Sequence, residues 1–237
     1  MGIRLTAEGV GKTRGSRKTL RDVSFSLEPG GHLVVFGSNG AGKTTLLRIL
    51  AMLDRPSAGR VAVFDGENEL DAVEARARMG LVTHAPQLYL DLTAEENLLL
   101  YARLYGVPDA QARVVDMLDA VGLLHRRADV VRGFSRGMTQ RMAIARALVA
   151  EPDILLLDEV YSGLDPKGAQ VVRELVRMGA EHRIVVEVSH DFESGYADCT
   201  DVLLLDRGRM AGLHARADMP EDEMRVRYRT LLEGRPA

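Results

Sequence analysis

The chain has 237 residues, 46% of them hydrophobic and 27% charged, with a net charge of −3. That length buries a full core in one large domain or two joined lobes, and the composition is that of an ordinary globular protein. The slightly acidic balance argues against a nucleic-acid partner, and no run reaches the roughly 18 to 20 apolar residues of a membrane-spanning helix. The opening residues, Met1 to Glu8, lack the basic start and long apolar middle of a secretion signal. The first segment alternates as short strands, with Val23, Phe25 and Leu27 on one face and Ser24 and Ser26 on the other. Lys12, Arg14, Arg17, Lys18 and Arg21 make this stretch basic, as one solvated surface loop equally would be. Glu28-Pro29-Gly30-Gly31 turns the chain into the apolar strand Leu33-Val34-Val35-Phe36.

Next come Gly37-Ser38-Asn39-Gly40-Ala41-Gly42-Lys43-Thr44, then Thr45 and the apolar stretch Leu46–Leu50. A strand, a glycine-rich turn and a helix in this order form a phosphate-binding loop. Gly37, Gly40 and Gly42 let backbone N–H groups curl toward an anion, and the positive end of the helix dipole adds to the field. Lys43 supplies a point charge for β/γ-phosphates, and the Thr44 hydroxyl is an oxygen ligand for Mg²⁺. The chain is therefore expected to bind a nucleotide.

Ser57-Ala58-Gly59 turns into a short strand, Val61–Phe64, which ends at Asp65-Gly66. A helix is predicted from Thr93, whose Thr-x-x-Glu spacing with Glu96 is a capping box, and Gly106-Val107-Pro108 breaks it. Asp109 is the expected cap of the following helix, which ends at Gly122, and another helix spans about 137–150. The β/α pattern then returns: strand Ile154–Leu157, a helix from Pro166 to Met178, and strands Ile184–Val188 and Val202–Leu205. The nucleotide core is thus split by a helical insertion between about residues 88 and 150. Cys199, the only cysteine, is expected to be an ordinary buried thiol of a reducing compartment.

Two acids, Asp158 and Glu159, end the buried strand Ile154–Leu157. At the carboxyl end of a parallel strand beside the phosphate loop, Asp158 suits the Mg²⁺ shell. Glu159 suits the general base for an attacking water. His190 ends the next strand and fits a donor to the γ-phosphate.

This order of motifs resembles the ATP-binding subunits of ABC transporters over nearly the whole chain. Phe134-Ser135-Arg136-Gly137-Met138 resembles the family signature, usually Leu-Ser-Gly-Gly-Gln: Ser135 and Gly137 match, and the other three residues depart. Tyr161-Ser162-Gly163-Leu164-Asp165 resembles the D-loop, with Val160 where a proline is usual, and His190 matches the switch histidine. The aromatic that usually stacks on adenine in this family would fall near Arg14. In the Q-loop Gln87 is the nearest glutamine, while His84 and Ala85 occupy the expected place. The resemblance implies an α/β fold with a RecA-like P-loop NTPase core, an N-terminal antiparallel β lobe and an inserted α-helical lobe. The core and β lobe would take residues 1–87 and 151–215, the helical lobe 88–150, and a helical tail 216–237.

It further implies catalytic roles for Glu159 and His190, and ATP contacts from Gly37 to Thr45 and, across a dimer, from Ser135 and Gly137. The metal ligands would be Thr44, Asp158 and Gln87. The cofactors are ATP and Mg²⁺. The partners are a separate transmembrane permease and a second ATP-binding subunit, which would hold the chain on the cytoplasmic face of a membrane. The phosphate loop, the segment Leu92–Leu98 and the signature look most like the haem exporters of cytochrome c maturation. A soluble non-transport ABC ATPase of DNA repair or translation is the alternative.

Overall fold

The computed structural model describes residues 2–233; Met1 and the last four residues of the expected tail lie outside them. In chain order the elements begin with β1 (Ile3–Arg14), β2 (Arg17–Leu27), β3 (His32–Gly37), α1 (Lys43–Leu50), β4 (Ala58–Asp65) and β5 (Asn68–Glu69). Then follow α2 (Ala72–Ala77), β6 (Met79–Val82), α3 (Ala94–Leu104), α4 (Ala110–Ala120), α5 (Arg136–Leu148) and β7 (Ile154–Asp158). The chain closes with α6 (Pro166–Arg177), β8 (Ile184–Val188), α7 (Phe192–Tyr196), β9 (Asp201–Asp206), β10 (Arg209–Ala215) and α8 (Glu221–Leu232).

These elements fall into two units. The first comprises the described parts of Met1–Met79, Asp153–Glu159 and Ala180–Ala237; the second is Gly80–Pro152 with Val160–Gly179. The second unit thus begins ahead of residue 88 and also takes in α6. The reason is local: Gln140 of α5 donates to Val160 O (3.1 Å), and Arg136 donates to Ser162 O (3.3 Å), so the segment leading to α6 belongs with α5.

In the first unit, β2-β1-β4-β5 form an antiparallel sheet. The strands are longer than the short runs expected, 12 residues in β1 and 11 in β2. Their alternation holds: Val23, Phe25 and Leu27 are buried while Ser24 and Ser26 are exposed. Bulges near Gly9 and Asp22, both at positive φ, bend the pair without breaking it.

The second sheet of this unit runs β10-β9-β3-β8-β7. β9, β3, β8 and β7 are mutually parallel, and only β10 runs the other way. Strands β3, β7 and β8 are buried along their whole length, which explains why they are apolar apart from His32, Asp158 and Glu187. Phe36, Phe192, Tyr196, Cys199, Met224 and Tyr228 form a core cluster that ties α7 and α8 to β3.

In the second unit, Thr93 caps α3 through the expected capping box with Glu96. Asp109 does not cap α4: it adopts a left-handed conformation (φ 46°), and its side chain makes no cap hydrogen bond. Its backbone carbonyl accepts from Arg113 N instead (3.1 Å). Ser135 caps α5, accepting from Met138 N at 3.3 Å.

Candidate nucleotide site

Strands β3, β8 and β7 are adjacent and parallel, so their carboxyl ends share one edge of the sheet. The phosphate loop follows β3, Glu159 follows β7, and His190 follows β8. In an open parallel sheet this is the edge at which ligands bind.

Glycine is required in the loop by close approach. A Cβ on Gly37 would stand 2.3 Å from Leu205 O, and one on Gly42, at φ 107°, would stand 2.7 Å from Thr19 O. Gly42 has no side chain to cap α1, so the helix's first N–H groups and its dipole form an anion-binding end. Asn39, Gly40 and Thr44 are exposed, Ser38 and Thr45 half-buried, and Ala41 buried.

Lys43 folds over the loop, and its Nζ donates to Gly37 O (2.7 Å) and Ser38 O (3.2 Å). Burial pushes its ammonium below the ordinary lysine range, while the carboxylates of Glu159 and Asp158 pull it back up. Thr44 Oγ1 lies 3.5 Å from Asp158 Oδ1, and Asp158 is buried. This pair of hard oxygens fits Mg²⁺. Among the described residues there is no group of three His, Cys, Asp or Glu that could hold a metal alone. Phosphate oxygens and water would contribute to the shell of such an ion beside its protein ligands, as is usual for Mg²⁺.

Glu159 adopts a left-handed conformation (φ 54°), and its N–H donates to Val188 O (2.9 Å), tying the end of β7 to β8. Its carboxylate lies 3.3 Å from His190 Nδ1; the glutamate side chain is 22% exposed and the imidazole 55%. A half-sheltered carboxylate beside an exposed imidazole offers a proton acceptor and a hydrogen-bond donor at the same edge.

Other predicted residues lie in the second unit. Ser135 is exposed at the start of α5, and Gly137 leaves room, its nearest neighbour being Leu164 at 3.8 Å from a would-be Cβ. These two residues line a cavity of about 540 Å³ with Arg141, Asp165 and Lys167. Arg136 is held against the Tyr161–Asp165 segment: its guanidinium carbon would stand 2.6 Å from a Cβ on Gly163. Gln87 is exposed, with φ 52°, and its carbonyl accepts from Tyr101 OH (2.7 Å). Buried Arg146 of α5 donates to Leu81 O and Pro86 O, fixing the start of this loop.

Arg14 ends β1 and pairs with Asp54 (3.0 Å), which also binds Arg48. Its neighbours carry more of the loop's surroundings. Arg17, Lys18, Arg21 and Arg207 line a cavity of about 490 Å³ together with residues 38–41 of the phosphate loop. The basic stretch is therefore partly a wall of this cavity, a role for which its charge was the only sequence signal. Tyr228 of α8 was also not anticipated: its hydroxyl donates to His190 O (3.0 Å). The i, i+4 spacing of Met224 and Tyr228 reveals a buried face but not that contact.

The family model described as "ABC transporter" matches residues 20–162. An ABC transporter ATP-binding protein, NatA, of Bacillus subtilis is 36% identical over 87% of this chain and 85% of its own length. A Nod factor export ATP-binding protein of Paraburkholderia xenovorans is also 36% identical, over 84% of this chain and 67% of its own. Among solved structures, the dimeric ATP-binding cassette MJ0796 in a post-hydrolysis state with ADP and Pi aligns with a TM-score of 0.79 at 26% identity. That alignment covers 89% of this chain and 98% of the cassette.

Proposed function

The chain belongs to the ABC transporter family as an ATP-binding subunit with ATPase activity, and from that premise we propose that it powers an exporter whose path lies in a separate membrane subunit. Outward transport is supported by the export relative and by the resemblance of the phosphate loop and signature to haem exporters. Haem for cytochrome c maturation is a narrower cargo within that class, and it rests on the motif resemblance alone. The family match and the transport relatives weigh against the non-transport alternative.

The observation that carries the reading is the convergence of Lys43, Thr44, Asp158, Glu159 and His190 on the ends of three adjacent parallel strands. In this reading the curled loop and the start of α1 bind the phosphates, and Lys43 leaves its carbonyl partners for the β/γ oxygens. Thr44 and Asp158 would hold Mg²⁺, with Gln87 as the candidate third ligand; the ion supplies charge neutralisation on the phosphates. Glu159 takes the proton of the attacking water, and His190 donates to the γ-phosphate. A second copy or related cassette supplies Ser135, Gly137 and the N-terminus of α5 to the far side of that phosphate. The assembly rests on the membrane through its permease.

Co-expression with a candidate permease subunit tests the proposal. Inverted vesicles should accumulate cargo only with ATP and with an intact Glu159. ATP-dependent loss of cargo from those vesicles would mean import instead, and haem accumulation is the measurement that decides the narrower reading.

A further inference from the structure

The switch-histidine segment is gripped from the C-terminal side of the chain. Tyr228 of α8 is buried, and its hydroxyl donates to the His190 carbonyl at 3.0 Å. Its ring packs 4.9 Å from Phe36 of β3 and 5.8 Å from Phe192, two residues after His190. Arg225, one turn earlier on α8, lies 4.9 Å over the Phe192 ring and pairs with Glu193 and Glu221. Gly195 of α7 packs so closely that a Cβ there would stand 2.8 Å from Val34.

The other side of the segment is fixed by its own short hydrogen bonds. Ser189 Oγ donates to Asp191 O (2.9 Å), and Asp191 caps α7 through Glu193 N (3.2 Å). The His190 peptide sits between these two anchors, and its imidazole lies 3.3 Å from Glu159. The His190 carbonyl accepts its hydrogen bond from α8.

We infer that Tyr228 is a positioning residue for ATP hydrolysis, acting through the His190 carbonyl to hold the imidazole beside Glu159, so that α8 forms part of the catalytic apparatus. This rests on the proposed role of His190. Burial pushes the Tyr228 phenol above its ordinary range, so it remains a donor throughout the neutral range. The aromatic packing alone would keep α8 attached without the hydroxyl, which makes the hydrogen bond separable from the fold. Tyr196 serves as the internal comparison: it is in the same cluster, but its hydroxyl reaches Met219 O, away from the histidine (3.4 Å).

The test measures kcat, KM for ATP and melting temperature in Tyr228→Phe, Tyr196→Phe, His190→Ala and the double variant Tyr228→Phe/His190→Ala. Tyr228→Phe should lower kcat about tenfold at unchanged KM, because a displacement well under 1 Å already costs rate at a positioned group. Tyr196→Phe should retain kcat. In the His190→Ala background, Tyr228→Phe should cost nothing further, since both act through one group. Loss of activity in His190→Ala with wild-type kcat in Tyr228→Phe would overturn this inference alone. So would an equal Tyr228→Phe loss with and without the imidazole, which is the mark of a purely structural residue. Normal turnover in His190→Ala would overturn the histidine's role and the inference together.

Discussion

In the proposed reading Lys43 and Glu159 divide binding from chemistry, and single substitutions should separate the two. Lys43→Ala removes the cation on the β/γ-phosphates and should weaken ATP binding at least about tenfold, as read by calorimetry. Glu159→Gln keeps the shape and the backbone bond to Val188 but removes the base. Turnover should fall by about two to four orders of magnitude with ATP affinity retained, and near-normal turnover would remove Glu159 from that role. Lys43 also gives a pH signature. Its folded pKa is depressed by burial, so between that value and the ordinary lysine value the free protein holds a neutral amine. ATP binds the ammonium, so binding in that alkaline window should take up a proton, and affinity should fall as pH rises. Calorimetry in two buffers of different ionisation heat reads the proton directly. The same depressed pKa means that the folded chain binds fewer protons than the unfolded one there, so this group's contribution to stability rises with pH across the window.

At the scale of elements, the legible parts were those whose local chemistry is self-contained. The phosphate loop, the Thr93–Glu96 box and the Ser135 cap all declare themselves by spacing, because their partners are a few residues away. Asp109 misled because an acid before a helix is a cap only when its backbone is extended, and here Gly106-Val107-Pro108 delivers it left-handed. Contacts distant in sequence were not legible: Tyr228 with His190, Arg207 beside the phosphate loop, and α6 with α5. Arg136 shows the same limit. Its place in the signature does not reveal that its guanidinium lies against Gly163 and donates to Ser162 O. Gly163 has φ 75°. Gly163→Ala should therefore destabilise the protein by about 1–2 kcal/mol through backbone strain and crowding. Arg136→Ala should recover only the crowding part. Urea melts of the two single variants and the double variant measure the split, and additive losses would show that the two residues do not touch in solution.

At the scale of the whole molecule, the proposed reading gives the γ-phosphate a loop, a lysine and two acids from one chain and takes the opposite side from a second chain. Glu159→Gln should be monomeric without nucleotide and dimeric with ATP and Mg²⁺ in light scattering, as the family's dimeric cassette suggests. Ser135→Arg should block that dimer while leaving ATP binding to the monomer intact, because it removes the α5 cap and crowds the phosphate. A Glu159→Gln monomer at saturating ATP would mean that the membrane subunit is required to close the pair. Cys199 adds a way to watch such events. It is 3% exposed, belongs to the cluster that joins β3, α7 and α8, and burial pushes its thiol up to about 12. In the closed protein it is both shielded and un-ionised, so a thiol reagent reacts only during excursions that part that cluster. With no other cysteine to compete, the labelling rate becomes a clock for local opening, and nucleotide that tightens the phosphate loop should slow it.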